Sequence, residues 1–273
     1  MRFLRRENLP HIWCVGCGHG IVLGAVARAM EKAGVDQDRT VVVSGIGCSS
    51  RAVGYLSMDA LHTTHGRALA FATGIKLARP DLRVVVLAGD GDLAAIGGNH
   101  LIHAARRNIG ITTVCFNNGI YGMTSGQYSP LTPAGYRTTT SPFGHLERDF
   151  DLCRLVQAAG ATYVARSTAY HVHQTITYIT RALNHDGFSF VEVFSPCPTY
   201  FGRFNRMADP VKMMQWLHDG TVQAGQAARM TPEELRGRVV IGEFHRTQEV
   251  PEYARSYREM IARLAEGGDH GAG

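Results

Sequence analysis

The stretch LRVVVLAGDGD, residues 82–92, restricts the fold more than any other part of the chain. Its β-branched run is apolar throughout, without the alternation of a strand that has one wet face, so it reads as a strand buried on both sides. It empties into glycines and carboxylates rather than into a hairpin turn. The pattern recurs. RTVVVSGIG (39–47) closes on glycines, ITTVCFNN (111–118) closes on two asparagines, and further strands are expected at 161–166 and 187–194. Helical periodicity fills the intervals: 20–33 before Gly34, 66–81 stopped at Pro80, 99–110 ending on Gly110, then 149–160 and 170–185.

Buried strands alternating with helices define parallel βαβ units. The expected class is therefore α/β, an open and mostly parallel sheet with helices on both faces. Ligands of such sheets bind beyond the carboxyl ends of the strands. The polar or glycine-rich clusters 45–51, 89–92, 117–127 and 195–200 all fall at such ends. After residue 200 the pattern weakens. Residues 1–200 are expected to form the ligand-binding domain, and 201–273 a C-terminal extension packed on it or on a partner. That extension should hold helices near 209–218 and 251–265, the run RVVIGEF at 238–244, and a disordered tail from about 266.

No apolar run reaches the ~18 residues a membrane helix needs, and no apolar segment follows the basic start MRFLRRENLP as in a secretory signal. The expectation is a cytoplasmic protein that does not engage a membrane. There, six cysteines are more readily buried, catalytic or metal-bound than disulfide-linked. The net charge of +5 suits an acidic partner. The basic residues are scattered, however, and no nucleic-acid binding is expected.

Two motifs carry chemistry. The strand at 84–88 delivers Asp90, and twenty-eight residues later a neighbouring strand end delivers Asn117 and Asn118. A carboxylate and an amide at adjacent strand ends can face one cation, and hard oxygen donors of this kind suit Mg²⁺ with a phosphate ligand. The glycines allow a diphosphate close to the backbone, and the helix starting near Gly97 is expected to aim its N–H groups at it. GDG, a helix, a strand and NN together resemble the thiamine-diphosphate signature. Walker-type and G-x-G-x-x-G loops are absent. The second motif is WCVGCGHG, with Cys14 and Cys17 spaced C-x-x-C. Cys48 and Cys197 lie at strand ends, whereas Cys115 and Cys153 fall inside a strand and a helix and read as buried structural thiols. Four thiolates from three segments could hold zinc or a [4Fe–4S] cluster. Spacing alone leans to zinc; a thiamine site next door favours the cluster as an electron acceptor.

Taken in order from about residue 10 to 206, WCVGCGHG, SGIGCSSR, HTTHGRALAFATGIKLARPDL, LAGDGDLAAIGGNHLIHAARRNI, NNGIYGMTSGQYSPLTP and SPCPTYFGRFNR resemble the β subunits of the 2-oxoacid:ferredoxin oxidoreductases, most of all those acting on 2-oxoglutarate. The resemblance implies that Cys14, Cys17, Cys48 and Cys197 ligate one [4Fe–4S] cluster. It implies that Asp90, Asn118 and the Ile120 carbonyl hold Mg²⁺. It implies thiamine diphosphate contacts at Ile46, Gly47, Cys48, Ser49, His65, Gly91, Asp92, Asn118, Gly122, Met123 and Thr124. Ser125 stands where that family has glycine. The implied reaction is oxidative decarboxylation of a 2-oxoacid with coenzyme A, reducing ferredoxin, and reversible as a reductive carboxylation. His65 is expected to act on the diphosphate or the reacting groups, and Arg51 to pair with a distal substrate carboxylate. Only the diphosphate half of a thiamine site is visible here. A partner α subunit is expected to bring the pyrimidine half with its glutamate. The rival readings are a non-oxidative thiamine-dependent decarboxylase subunit, a zinc-stapled nucleic-acid module, and the same family acting on pyruvate or another 2-oxoacid.

Overall fold

A computed structural model describes residues 2–266; the tail expected to be disordered lies outside the described residues. In chain order the elements are α1 (His19–Lys32), β1 (Thr40–Ser44), β2 (Asp59–His62), α2 (Ala68–Ala78), β3 (Arg83–Gly89), α3 (Asp90–Ala94), α4 (Gly98–Arg106), β4 (Ile111–Asn117), β5 (Ile120–Tyr121) and β6 (Gln127–Tyr128). They continue with α5 (Leu152–Ala158), β7 (Tyr163–Thr168), α6 (Val172–Leu183), β8 (Ser189–Phe194), α7 (Pro210–Asp219), β9 (Thr221–Gln223), α8 (Ala224–Ala227), α9 (Pro232–Leu235), β10 (Val239–Arg246) and α10 (Tyr253–Glu266).

Eight strands form one sheet in the order β2-β1-β3-β4-β8-β7-β10-β9, and β5 with β6 forms a small separate ribbon. From β2 to β7 every pairing is parallel; β10 runs antiparallel to β7. The unbroken apolar runs follow from two-sided burial. Val85 and Leu87 of β3, with Val114 and Phe116 of β4, face α1, α6 and the N-terminal Phe3 and Trp13. Val84, Val86 and Ala88, with Ile111 and Cys115, face α2, α4 and α5. Period-2 alternation inside each strand thus feeds two cores instead of one core and solvent.

The chain leaves β1 for the edge strand β2 and then crosses back to β3. A crevice therefore opens between the carboxyl ends of β1 and β3, the place where open α/β sheets bind ligands. A second reversal places β8 between β4 and β7, so that the loop after β8 lies beside the loop after β4.

Several features escaped the sequence reading, the β5–β6 ribbon among them. The edge strand β2 is short and mostly exposed, so it carries no apolar signal. GDGD opens the short helix α3 as well as ending a strand. The segment after residue 200 adds β10 and β9 to the main sheet. Asn108 fastens that segment. Its Nδ2 donates to the carbonyls of Val250 at 2.9 Å and Pro251 at 3.2 Å, while its Oδ1 accepts from Phe188 N at 2.8 Å and Thr162 Oγ1 at 2.7 Å. With the residue fully buried and at φ +50°, Asn108→Ala should cost roughly 3 kcal/mol. Urea unfolding checks this, and an unchanged midpoint would refute the stapling role.

Candidate active site

The loops after β1, β3 and β4 enclose a cavity of about 500 Å³. It is lined by Ile46, Gly47, Cys48 and Ser49 from the first loop, Gly91 and Asp92 from the second, and Asn118, Gly122, Met123 and Thr124 from the third, with His65 at the side. Asp90 and Ile120 line it too. The structure thus brings together every residue expected to touch the cofactor. No residue of α4 lines the cavity. Gly97 instead packs over the Asp92 and Gly66 carbonyls. The helix start facing the cavity belongs to α3, at Asp90, which corrects the expectation for Gly97.

Side chains at the floor are tightly held. Asp92, 3% exposed, accepts through Oδ1 from His65 Nδ1 at 2.6 Å, Gly66 N at 2.7 Å and Ile46 N at 3.3 Å. Its Oδ2 has no hydrogen-bond partner and packs where a Cβ on Gly45 would collide. Burial raises the Asp92 pKa, and the N–H donors and His65 offset only part of that rise. Asp90, 2% exposed, accepts from Ser129 Oγ. Burial pushes its carboxyl up to about 7 despite that bond and the backbone N–H groups around it. Glycine is required at 91 because a Cβ there would meet the Tyr121 ring, whose hydroxyl donates to the Gly91 carbonyl at 3.1 Å.

The two asparagines have different duties. Asn117 is buried; it donates to Glu192 Oε1 at 2.7 Å and accepts from Gly119 N at 3.0 Å. Asn118 lines the cavity and caps Ile120 N at 3.2 Å. Further along the loop, Ser125 sits at φ +88°, and Thr139 Oγ1 bonds its carbonyl at 2.6 Å. The glycine-favouring backbone persists at a serine, at a cost of about 1 kcal/mol.

The thiols converge beside this floor. A Cβ on Gly122 would lie 3.4 Å from Cys48 Sγ, 3.7 Å from Asn118 Nδ2 and 4.0 Å from Cys197 Sγ. Burial, compounded by the charges of the other cysteines in the group, pushes the Cys17 thiol up to about 12 and that of Cys48 up to about 11, and Cys197 is raised as well. Backbone N–H groups partly compensate: those of Tyr200 and Phe201 at Cys197, and that of His19 at Cys17. Cys14 is exposed, while Cys115 and Cys153 are buried in the sheet core. Arg51 is exposed and does not line the cavity; its charge acts on Cys48 instead.

Sequence reasoning gave no role to His19, Ser129 or Glu192. His19 is 1% exposed, lines the cavity and meets Ser195 Oγ at 2.8 Å. Only contacts between distant segments reveal these three, and a single sequence does not display them.

Fold and cavity define a thiamine-diphosphate-binding α/β domain. Residues 45–193 match the family described as "Thiamine pyrophosphate enzyme, C-terminal TPP binding domain". The chain is 58% identical over 244 residues to the 2-oxoglutarate synthase subunit KorB of Methanothermobacter marburgensis, covering 89% of this chain and 86% of that protein. To the KorB subunit of Methanocaldococcus jannaschii it is 51% identical over 264 residues, 97% of each. A solved 2-oxoglutarate:ferredoxin oxidoreductase from Magnetococcus marinus, with 2-oxoglutarate, coenzyme A and succinyl-CoA bound, superposes with a TM-score of 0.85 at 35% identity, over 99% of this chain and 91% of that one. The chain belongs to the β subunits of the 2-oxoglutarate:ferredoxin oxidoreductases, and is thus part of an oxidoreductase.

Thiol reactivity follows thiolate content. In the metal-free chain at pH 8, iodoacetamide should label Cys14 first. Cys17, with its pKa about three units above the ordinary thiol value, should react about a thousandfold more slowly than a free thiol. Peptide mass spectrometry reads the order, and equal labelling of Cys14 and Cys17 would contradict the electrostatics described.

Proposed function

We propose that this chain, paired with an α subunit, catalyses oxidative decarboxylation of 2-oxoglutarate with coenzyme A to an acyl-CoA, CO₂ and reduced ferredoxin, reversible as reductive carboxylation. The observation that carries the reading is the adjacency, at Gly122, of a diphosphate-type floor and the thiols of Cys48 and Cys197, with Cys14 and Cys17 close enough to act on them electrostatically. In this reading Asp90, Asn118 and the Ile120 carbonyl hold Mg²⁺, and Cys14, Cys17, Cys48 and Cys197 hold one [4Fe–4S] cluster. The donors suit these groups. Asp90 is a buried carboxylate with no ion-pair partner among the described residues, and three of the thiols are raised by burial and by one another, so metal ions would relieve both. Among the described residues no three His, Cys, Asp or Glu side chains close into a single-ion site.

When bound, thiamine diphosphate supplies the carbanion chemistry and the cluster supplies a one-electron acceptor. The residues of this chain bind and orient. Asp92 holds His65 by Nδ1, which leaves Nε2 to address the diphosphate or the reacting groups. Gly47, at φ +133°, faces open space where a side chain would stand. The oxoacid and coenzyme A are inferred from the ligands of the Magnetococcus enzyme. The α subunit and its glutamate are inferred from the family resemblance, and residues 45–193 match a C-terminal TPP binding domain, one half of such a site. Ferredoxin is inferred from the name of that enzyme, and the net charge of +5 suits an acidic carrier. A cytoplasmic setting fits six free cysteines. Among the described residues no helix is long and apolar enough to cross a membrane. The exposed position of Arg51 lends no support to substrate selection by that residue.

The test is anaerobic co-purification with the partner, with iron, sulfide, zinc and thiamine quantified on one sample. Iron and sulfide at about four each per chain are expected; zinc in place of iron would overturn the reading. Cation binding should also follow the ionisation of Asp90. Below about 7 its carboxyl is protonated and must release that proton to bind, so Mg²⁺ affinity should fall about tenfold per pH unit below that point and level off above it. Titration calorimetry across pH measures this, with Asp90→Asn abolishing binding.

A further inference from the structure

Glu192 lies in the middle of β8, opposite Cys115 of β4 and Arg166 of β7. It is 1% exposed, between the fully buried Val191 and Val193 of the same strand. Both of its oxygens are taken. Oε1 accepts from Asn117 Nδ2 at 2.7 Å, and Oε2 accepts from Arg166 Nε at 2.6 Å. Arg166, 8% exposed, is itself fixed: it donates to Asp151, reaches the Val240 carbonyl at 3.4 Å, and lies 6.0 Å and 5.4 Å from the Phe194 and Phe244 ring centres.

A buried ion pair is poor value for stability, because apolar side chains of the same volume serve as well or better. What an apolar pair cannot do is fix the orientation of an amide. Asn117 has one donor end and one acceptor end. With its NH₂ committed to Glu192, its carbonyl must face Gly119 N, where it accepts at 3.0 Å. That bond closes the turn at Gly119, φ +67°, from which Asn118 and Ile120 reach the cavity. The reverse orientation would set NH₂ against the Gly119 N–H and open the turn.

We propose that Glu192 is a positioning residue for the cation end of the cavity, acting through the side chain of Asn117. The proposal rests on the reading that Asn118 and Ile120 hold the cation. Glu192 touches neither substrate nor cofactor; its product is a turn with one conformation.

The test uses the enzyme co-purified with its partner, stripped of magnesium and thiamine diphosphate, then titrated with Mn²⁺ at saturating thiamine diphosphate. Two variants break the link differently. Glu192→Leu with Arg166→Met replaces the ion pair by apolar bulk, and Asn117→Ala leaves the ion pair intact but removes the bond to Gly119. Both should weaken Mn²⁺ binding about 10–100-fold and alter the electron paramagnetic resonance spectrum of bound Mn²⁺. The circular dichroism and melting temperature of the double variant should stay close to wild type. Wild-type Mn²⁺ affinity and spectrum in Asn117→Ala overturn the proposal, whether or not the double variant folds. Asp90→Asn separates the underlying reading. If it binds Mn²⁺ like wild type, the cation site itself is misassigned; if it fails while Asn117→Ala binds normally, only the role of Glu192 falls.

Discussion

Acidic groups buried at one end of a parallel sheet govern this structure. Asp90, Asp92, Cys17, Cys48 and Cys197 all have pKa values raised by burial. Among the described residues neither aspartate pairs with a lysine or arginine; Asp92 meets His65 Nδ1 and Asp90 meets Ser129 Oγ. A fold tolerates such groups when they stay protonated or when metal ions share their charge. For Asp90 the linkage sign is plain. Its folded pKa of about 7 lies above its ordinary value of 3.8, so the stability present below the ordinary value is lost as pH rises through the folded one. In the proposed reading, a cation held by Asp90 would act on the same group in the opposite sense. Cation affinity and stability of the chain would then be two expressions of one electrostatic strain.

Topology concentrates that strain. The first reversal of strand order, at β1 and β3, opens the crevice, and the second sets the loop of Cys197 beside that of Asn118. Neither reversal depends on the cofactors. Both follow from the order in which strands enter the sheet, and their result is that residues from four distant segments share one small volume.

This explains which features were legible in the sequence. Strands β3 and β4 could be read because burial on both faces leaves unbroken β-branched runs. The cavity-lining residues after them could be read because GDG and NN are local spellings of a turn, and because the matching stretches keep their order along the chain. The strand β2 could not, since an edge strand with exposed side chains has no periodicity to detect. His19, Ser129 and Glu192 could not, because each matters through a partner from a distant segment. The expected diphosphate-facing helix was displaced to α3 for a similar reason: GDGD reads equally as a turn and as a helix start, and only the packing of Gly97 against the Asp92 and Gly66 carbonyls decides between them.

The apolar residues left outside the cores are informative in the same way. Ile46 and Met123 line the cavity, yet they are 48% and 44% exposed. Phe143 and Leu146, at 98% and 96%, project from the loop that packs on the β5–β6 ribbon through the contact of Tyr128 with His145. Single exposed apolar side chains need no explanation, whereas apolar groups gathered around a cavity mark surfaces that another body covers. A cavity with a charged floor and an apolar mouth strengthens its internal electrostatics once water is excluded. In the proposed assembly the α subunit would be that cover. Closure by it would lower the local dielectric around Asp92 and His65 and tighten the bond between them, so assembly and preparation of the site for chemistry become one event.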